Sequence, residues 1–107
     1  MTRFVLSPEA ASDLAEIWRY LKSKGGGALA DRIEAAIRER IAFLASNPNV
    51  GHFRRDLTGE GVKFFPVYSW LIVYRAETKP LQVVSILHGS RHVEDAMKGR
   101  FRDPDPH

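Results

Sequence analysis

The sequence contains no cysteine, no long apolar run and no internal repeat. The absence of cysteine excludes disulfides, thiolate metal sites and thiol nucleophiles. Because no apolar run approaches the roughly 20 residues that span a bilayer, we expect no membrane segment. The N-terminus also lacks the basic region and apolar block of a signal peptide, so we expect a cytoplasmic protein.

The chain has 107 residues, which is typical of one domain of about 100–150 residues with a single core. We expect this domain over residues 1–98. The remaining residues, 99–107, end in alternating aspartate and proline and are predicted to form an irregular tail.

The positive charge is concentrated in the second half of the chain. Residues 1–50 carry 7 basic and 6 acidic side chains, whereas residues 51–102 carry 9 basic and 5 acidic ones. This excess of +4 is compatible with an acidic or polyanionic partner, and also with an ordinary solvated surface.

Two stretches have the spacing of amphipathic helices. The first begins at Ser7-Pro8-Glu9, where serine caps free amides, proline fits the first turn and glutamate complements the helix dipole. Three glycines end it near Lys24. The second runs from about Ala28 to Ser46 and ends before Asn47-Pro48. The short connection predicts an antiparallel helical hairpin. The apolar stripe of the first helix consists of Leu14, Ile17, Trp18 and Leu21.

The other regular segments have the composition of β-strands. Trp70–Tyr74 is apolar on both faces and is therefore predicted to form the central strand. Arg91–Arg100 is a candidate short helix. The order β-α-α-β-β-β predicts a two-layer α+β domain, with an antiparallel sheet packed against the helical hairpin. The predicted strands are 3–6 at an edge, 62–65, 67–74 and 81–87.

Few motifs point to cofactor or nucleophilic chemistry. The three glycines follow a helix and lack the lysine of a phosphate-binding loop. His88 and His92 are four residues apart, but His88 is predicted to end a strand, so we expect no metal site. No serine stands in the strained turn that a catalytic triad requires. We therefore expect no cofactor.

One catalytic alternative is acid–base cleavage of RNA. Arginines could stabilise the charge of the transition state, and a histidine could transfer the proton. The residues that could gather on one sheet face for this chemistry are Arg54, Arg55, Arg75, His88 and Arg91.

Five short segments follow one another in a distinctive order. They are Ser7–Ala10 with Asp13-Leu14, Ile17 and Tyr20; Leu44 with Pro48 and Gly51; Arg55-Asp56-Leu57; Leu71–Arg75; and Ile86–Arg91. Over roughly residues 3–97 they resemble the ParE/RelE toxin superfamily. The resemblance implies a bacterial toxin of a type II toxin–antitoxin pair, neutralised by an antitoxin whose extended C-terminal segment wraps the toxin.

The superfamily contains two functional classes. RelE-like members cleave mRNA in the ribosomal A site, whereas ParE-like members, the plasmid stabilisation toxins, bind and inhibit DNA gyrase. Leu71 stands where ribosome-dependent members usually carry arginine, and no tyrosine follows Tyr74. The resemblance therefore implies a ParE-like toxin that is not an enzyme, although His92 stands where ParE-like members commonly have an acid. A ribosome-dependent RNase and an inert relative that only binds an antitoxin are the alternatives.

We expect two partner surfaces. The basic C-terminal region is predicted to bind gyrase through Arg91, Lys98 and Arg100, without direct binding of DNA by the toxin. A ParD-like or similar antitoxin is expected to contact apolar residues left over by the core, with acidic groups meeting basic ones. The candidates for this contact are Tyr20 and Leu21 on the hairpin and Phe64 on the sheet.

Overall fold

A computed structural model describes residues 3–54 and 61–89. Two helices pack on one face of a five-stranded sheet, which confirms the predicted two-layer α+β architecture. The elements are β1 Phe4–Leu6, α1 Pro8–Gly25, α2 Gly27–Ser46, β2 His52–Phe53, β3 Lys63–Val67, β4 Trp70–Arg75 and β5 Leu81–His88.

Both helices have the predicted bounds to within one residue. At the start of α1 the Ser7 hydroxyl oxygen accepts a hydrogen bond from the Ala10 amide at 3.0 Å, and a proline follows the cap. Gly26 separates the helices with a φ of 91°, a conformation that glycine adopts without steric cost. The chain therefore reverses within one residue, and α1 and α2 form the predicted hairpin.

The strand order is β1-β5-β4-β3-β2, which confirms β4 as the central strand and β1 as an edge strand. The pairs β2–β3, β3–β4 and β4–β5 are antiparallel, but β1 runs parallel to β5. The sheet is therefore mostly antiparallel rather than fully so. A parallel neighbour is possible because two helices and three strands separate β1 from β5 along the chain.

The strand bounds differ from the prediction in two places. The two-residue β2 was not predicted. Pro66 does not separate two strands but lies inside β3, and the turn falls at Tyr68-Ser69, between the paired residues Val67 and Trp70. Proline is tolerated in β3 because its missing N–H faces the sheet edge beyond β2. The predicted helix at 91–100 and the domain boundary at 98 lie outside the described residues.

The sheet has an apolar cluster on each face. The helix-facing cluster includes Leu14, Ile37, Ile41, Ile72 and Tyr74, with Trp18 and Trp70 half-buried at its margin. The far-face cluster consists of Val62, Phe64, Val73 and Leu87, with Leu71 and Val84 packed against it. Burial on both faces explains why the central strand has no polar side.

Candidate functional site

The first motif segment ties α1 to the edge of β5. Because β1 pairs with β5 only as far as Val83, the next groups of β5 need other partners. The Ser7 hydroxyl donates to the Val84 carbonyl at 2.8 Å, and the Ile86 amide donates to Asp13 Oδ2 at 2.9 Å. Ser7 and Asp13, together with residues 83–86, are called the α1–β5 anchor below. Their role is structural.

A second set of motif residues meets around the hydroxyl of Tyr74. This oxygen donates to the Pro48 carbonyl at 2.7 Å and accepts from the Gly51 amide at 2.9 Å. Tyr74 is fully buried. Burial raises the pKa of its phenol, an effect that outweighs the lowering by the Gly51 amide. Pro48, Gly51 and Tyr74 form the Tyr74 anchor, which holds the turn after α2 against the central strand.

The residues predicted for RNA cleavage do not gather on one sheet face. Arg75 pairs with Gln82, whereas His88 lies six residues further along β5 and pairs with Trp70. At ~3.3 Å per residue, Arg75 and His88 lie about 20 Å apart along the strands. Trp70 belongs to the helix-facing cluster, so His88 shares that face. Side chains alternate along a strand, so Arg75, next to the helix-facing Tyr74, points to the far face.

The predicted gathering of Arg75 and His88 is therefore wrong. Its physical reason is the antiparallel hairpin, which places the C-terminal ends of β4 and β5 at opposite ends of the sheet. The His88 ring instead lies edge-on to the Trp70 ring, with centroids 5.8 Å apart. Arg54 follows β2 at the surface. Arg55 and Arg91 lie outside the described residues.

Of the three residues predicted to contact an antitoxin, the structure exposes one. Tyr20 is 55% exposed, but Leu21 is only 9% and Phe64 only 3% exposed. The expectation that Leu21 and Phe64 are left over by the core is wrong. Leu21 is the last residue of the α1 stripe that packs on the sheet, and Phe64 lies in the far-face cluster. Neither presents a surface for a partner in this conformation.

The predicted gyrase-binding residues Arg91, Lys98 and Arg100 lie outside the described residues. Within the part of the chain that is described, no helix is long and apolar enough to cross a membrane. In the same part, no group of three or more histidine, aspartate or glutamate side chains could hold a metal ion.

A groove of about 560 Å³ opens between α2 and the end of β3. Tyr68 is 66% and Phe43 42% exposed, and the Phe43 ring leans on Phe65 with centroids 6.2 Å apart. We call this feature the α2–β3 groove. The described residues that line it are Ala36, Glu39, Arg40, Phe43, Pro66, Val67 and Tyr68.

Arg40 supplies a cation at this groove. Its guanidinium carbon lies 6.0 Å from the centroid of the Phe65 ring, within the range of a cation–π contact. The neighbouring Arg38 pairs with Glu34 at 3.7 Å. No carboxylate partner of Arg40 is found among the described residues. The groove therefore combines exposed aromatic rings with a cation that no acid within residues 3–54 and 61–89 neutralises.

Sequence reasoning did not single out this groove. Two signals were present: Phe43 stands beside Leu44 and so off the face of α2 that carries Ile37, Ile41 and Leu44, and Tyr68 is an aromatic residue near the start of the predicted strand 67–74. Neither is specific, because large apolar residues are common on protein surfaces. The groove is visible only once α2 and β3 are placed side by side.

The family model for the ParE toxin of type II toxin-antitoxin system, parDE, matches residues 4–93. A solved structure described as the chromosomal ParDE TA system from P. aeruginosa has a TM-score of 0.70 and 22% sequence identity, and the match covers 82% of this chain and 96% of that chain. This likeness shows a common fold. No curated protein matches the chain. Because the family model covers most of its length, the chain belongs to the ParE toxin family of type II toxin–antitoxin systems.

Proposed function

We propose that this chain is a toxin that inhibits DNA gyrase by protein–protein binding and is neutralised by a cognate antitoxin. The observation that carries the proposal is the match to the ParE toxin family over residues 4–93. The likeness to a chain of a ParDE system supports an antitoxin partner.

Binding rather than cleavage is favoured by the positions of the candidate catalytic groups. A general acid–base pair must reach one substrate from hydrogen-bond distance. Arg75 and His88 lie on opposite faces and at opposite ends of the sheet, so they cannot act on one phosphate together. Leu71, at the position where ribosome-dependent relatives usually carry arginine, packs against the far-face cluster.

For gyrase binding we propose Arg91, Lys98 and Arg100. They belong to the segment with the +4 excess of charge, and basic side chains accelerate association with an acidic surface. The test is a supercoiling assay with purified gyrase, relaxed plasmid and the purified chain. We expect supercoiling to stop at stoichiometric excess of the chain. Normal supercoiling under these conditions would overturn the proposal.

The residues are tested by a triple variant, Arg91→Ala, Lys98→Ala and Arg100→Ala, beside a control triple of basic residues on the helices, Arg19→Ala, Lys22→Ala and Arg32→Ala. We expect the first to lose inhibition by at least tenfold and the second to retain it. Equal losses would show that total charge, and not the three C-terminal basic residues, governs binding.

The RNase alternative is separated by primer extension on translated messages from cells that express the chain. We expect no new cuts at levels that stop growth. Cuts in the ribosomal A site that vanish in an Arg91→Ala variant would replace gyrase inhibition by mRNA cleavage. Growth unaffected by expression would instead point to an inert relative.

An antitoxin contact at Tyr20 remains part of the proposal. Its ring is exposed near the end of α1, and the Lys24 ammonium lies 5.7 Å from its centroid, so a partner with an apolar residue and an acid would fit. Adding the antitoxin should restore supercoiling. We expect Tyr20→Ala to require more antitoxin for the same recovery.

A further inference from the structure

Tyr68 occupies a strained position in the turn between β3 and β4. Its φ is 54°, in the left-handed region that favours glycine, asparagine or aspartate in such turns. Side-chain packing does not compensate for this strain, because Tyr68 is 66% exposed. A bulky residue held in a strained conformation with its ring in solvent points to a role outside folding.

The neighbouring residues of the α2–β3 groove fit a particular kind of ligand. Phe43 and Tyr68 supply aromatic surface for an apolar side chain. Arg40 holds its guanidinium over Phe65 and has no internal ion pair among the described residues, so its donors are available to a carboxylate. Glu39 also lines the groove, but adjacent helical residues project about 100° apart and do not face each other.

Pro66 restricts how a partner can bind. A Cβ on Gly51 would lie 3.0 Å from the Phe64 carbonyl oxygen, so the Phe64 backbone faces β2. Alternation along β3 turns the Pro66 backbone toward the same edge, where β2 no longer covers it. Because proline has no N–H, this edge cannot pair with an added strand in the usual way. This part of the edge therefore favours recognition through side chains, as when a helix lies in a groove.

We propose that the α2–β3 groove is a docking site for the antitoxin, occupied by a helical segment with an apolar anchor and a carboxylate about one turn away. The anchor lies between Phe43 and Tyr68, and the carboxylate pairs with Arg40. This inference rests on the proposed function, which supplies the antitoxin. An acidic segment is also complementary to the chain's net charge of +3.

The test measures affinity and thermal stability of the same variants. The probe is the protein encoded by the gene adjacent to this one, titrated against the purified chain by calorimetry. Tyr68→Asn tolerates the left-handed conformation and removes the ring. We expect its affinity to fall at least tenfold while its Tm stays level or rises by a few degrees. Tyr68→Phe, which keeps the ring, should bind within twofold of the wild type.

Arg40 is tested with a matched control on the other helix. Arg40→Gln should weaken binding about tenfold and reduce its salt dependence, because a charge pair is lost. Arg19→Gln, an equal change of charge at an exposed position of α1, should leave affinity unchanged. Equal effects of the two variants would overturn the pairing of Arg40 with a carboxylate.

The other outcomes are distinguishable. If the wild-type chain does not bind the adjacent gene product, the proposed antitoxin partnership fails, and the docking assignment with it. If the wild type binds and Tyr68→Asn binds equally well, or loses affinity together with Tm, only the docking assignment is overturned. A concentration-dependent dimer that Tyr68→Asn abolishes would assign the groove to a second copy. Lost gyrase inhibition with unchanged antitoxin affinity would assign it to the target.

Discussion

The two anchors and the α2–β3 groove differ in how their polar and aromatic groups are satisfied. In the anchors, Asp13 and Tyr74 are buried and hydrogen-bonded to backbone groups from distant parts of the chain. In the groove, Tyr68 is strained and exposed, and Arg40 has no carboxylate partner among the described residues. The buried groups of the anchors stabilise the fold, whereas Tyr68 and Arg40 in the groove are exposed and available for further contacts.

The difference shows what the family motifs report. Ser7, Asp13, Pro48, Gly51 and Tyr74 belong to the motif segments, and all of them lie in the anchors. None of the described residues that line the groove belongs to a motif segment. These five motif residues therefore stabilise the scaffold, whereas the proposed docking groove lies outside the motif segments. Variants that alter stability and affinity separately can test this division.

The largest loss of stability is expected from Gly51→Ala. A Cβ at this position would collide with the Tyr74 hydroxyl and lie 2.9 Å from the ring carbon Cε1. Overpacking, with the loss of the anchor hydrogen bonds, should cost about 2–3 kcal/mol in the free energy of unfolding. Urea denaturation measures it. Gly27→Ala is the control, since a Cβ there meets no atom within 4 Å; it should be neutral or stabilising.

The next effect concerns the Tyr74 hydroxyl and its pH dependence. Tyr74→Phe leaves the buried Gly51 amide without its partner and should cost about 1–3 kcal/mol at pH 7. Folding raises the pKa of this phenol above its ordinary value of 10.0. The folded state therefore keeps the phenol proton up to a higher pH than the unfolded state does. The stability that the protonated Tyr74 phenol contributes is complete below pH 10 and is lost as the pH rises through the pKa of the folded state. Wild-type stability should fall more steeply above pH 10 than that of Tyr74→Phe, whereas parallel profiles would contradict this assignment.

Local signals made the helices predictable. Ser7-Pro8 starts α1, and Asn47-Pro48 ends α2, because capping and the loss of an N–H act within a few residues. The strands were less predictable. The two-residue β2 carries no periodic pattern, and Pro66 was interpreted as a strand break although an edge position tolerates it.

The candidate site was less predictable than the fold, because exposure depends on contacts between distant segments. Phe64 looked available for a partner, but the far-face cluster buries it. Arg75 and His88 looked able to meet, yet strand direction separates them. Tyr68 lies inside the predicted strand 67–74, so neither the turn nor its strained φ could be predicted from the sequence. These properties arise only when the sheet is assembled.

Phe43→Ala should lower antitoxin affinity strongly and stability only slightly, whereas the anchor variants mainly lower stability. Phe43 is 42% exposed and its ring contacts Phe65. Removing the ring should cost about 1 kcal/mol of stability, partly offset by the helix propensity of alanine. If the groove docks the antitoxin, affinity should fall at least tenfold. Phe53→Ala, an exposed phenylalanine on β2, is the control and should bind normally. A large loss of stability without loss of affinity would place Phe43 with the anchors.

The smallest effect on the free energy of unfolding is expected from Ser85→Ala, at a buried polar side chain of the α1–β5 anchor. Ser85 belongs to the β5 segment of this anchor, at an irregularity in the pairing with β4. Its buried hydroxyl has no hydrogen-bond partner among the described residues. Removing an unpaired buried hydroxyl should change stability by at most about 0.5 kcal/mol, in the stabilising direction. Ser7→Ala is the matched comparison, because its hydroxyl makes two hydrogen bonds, and should cost about 1 kcal/mol. If Ser85→Ala lowered the free energy of unfolding as much as Ser7→Ala, both serine hydroxyls would stabilise the anchor. The hydrogen bonds of Ser7 and Asp13 alone would then not account for its stability.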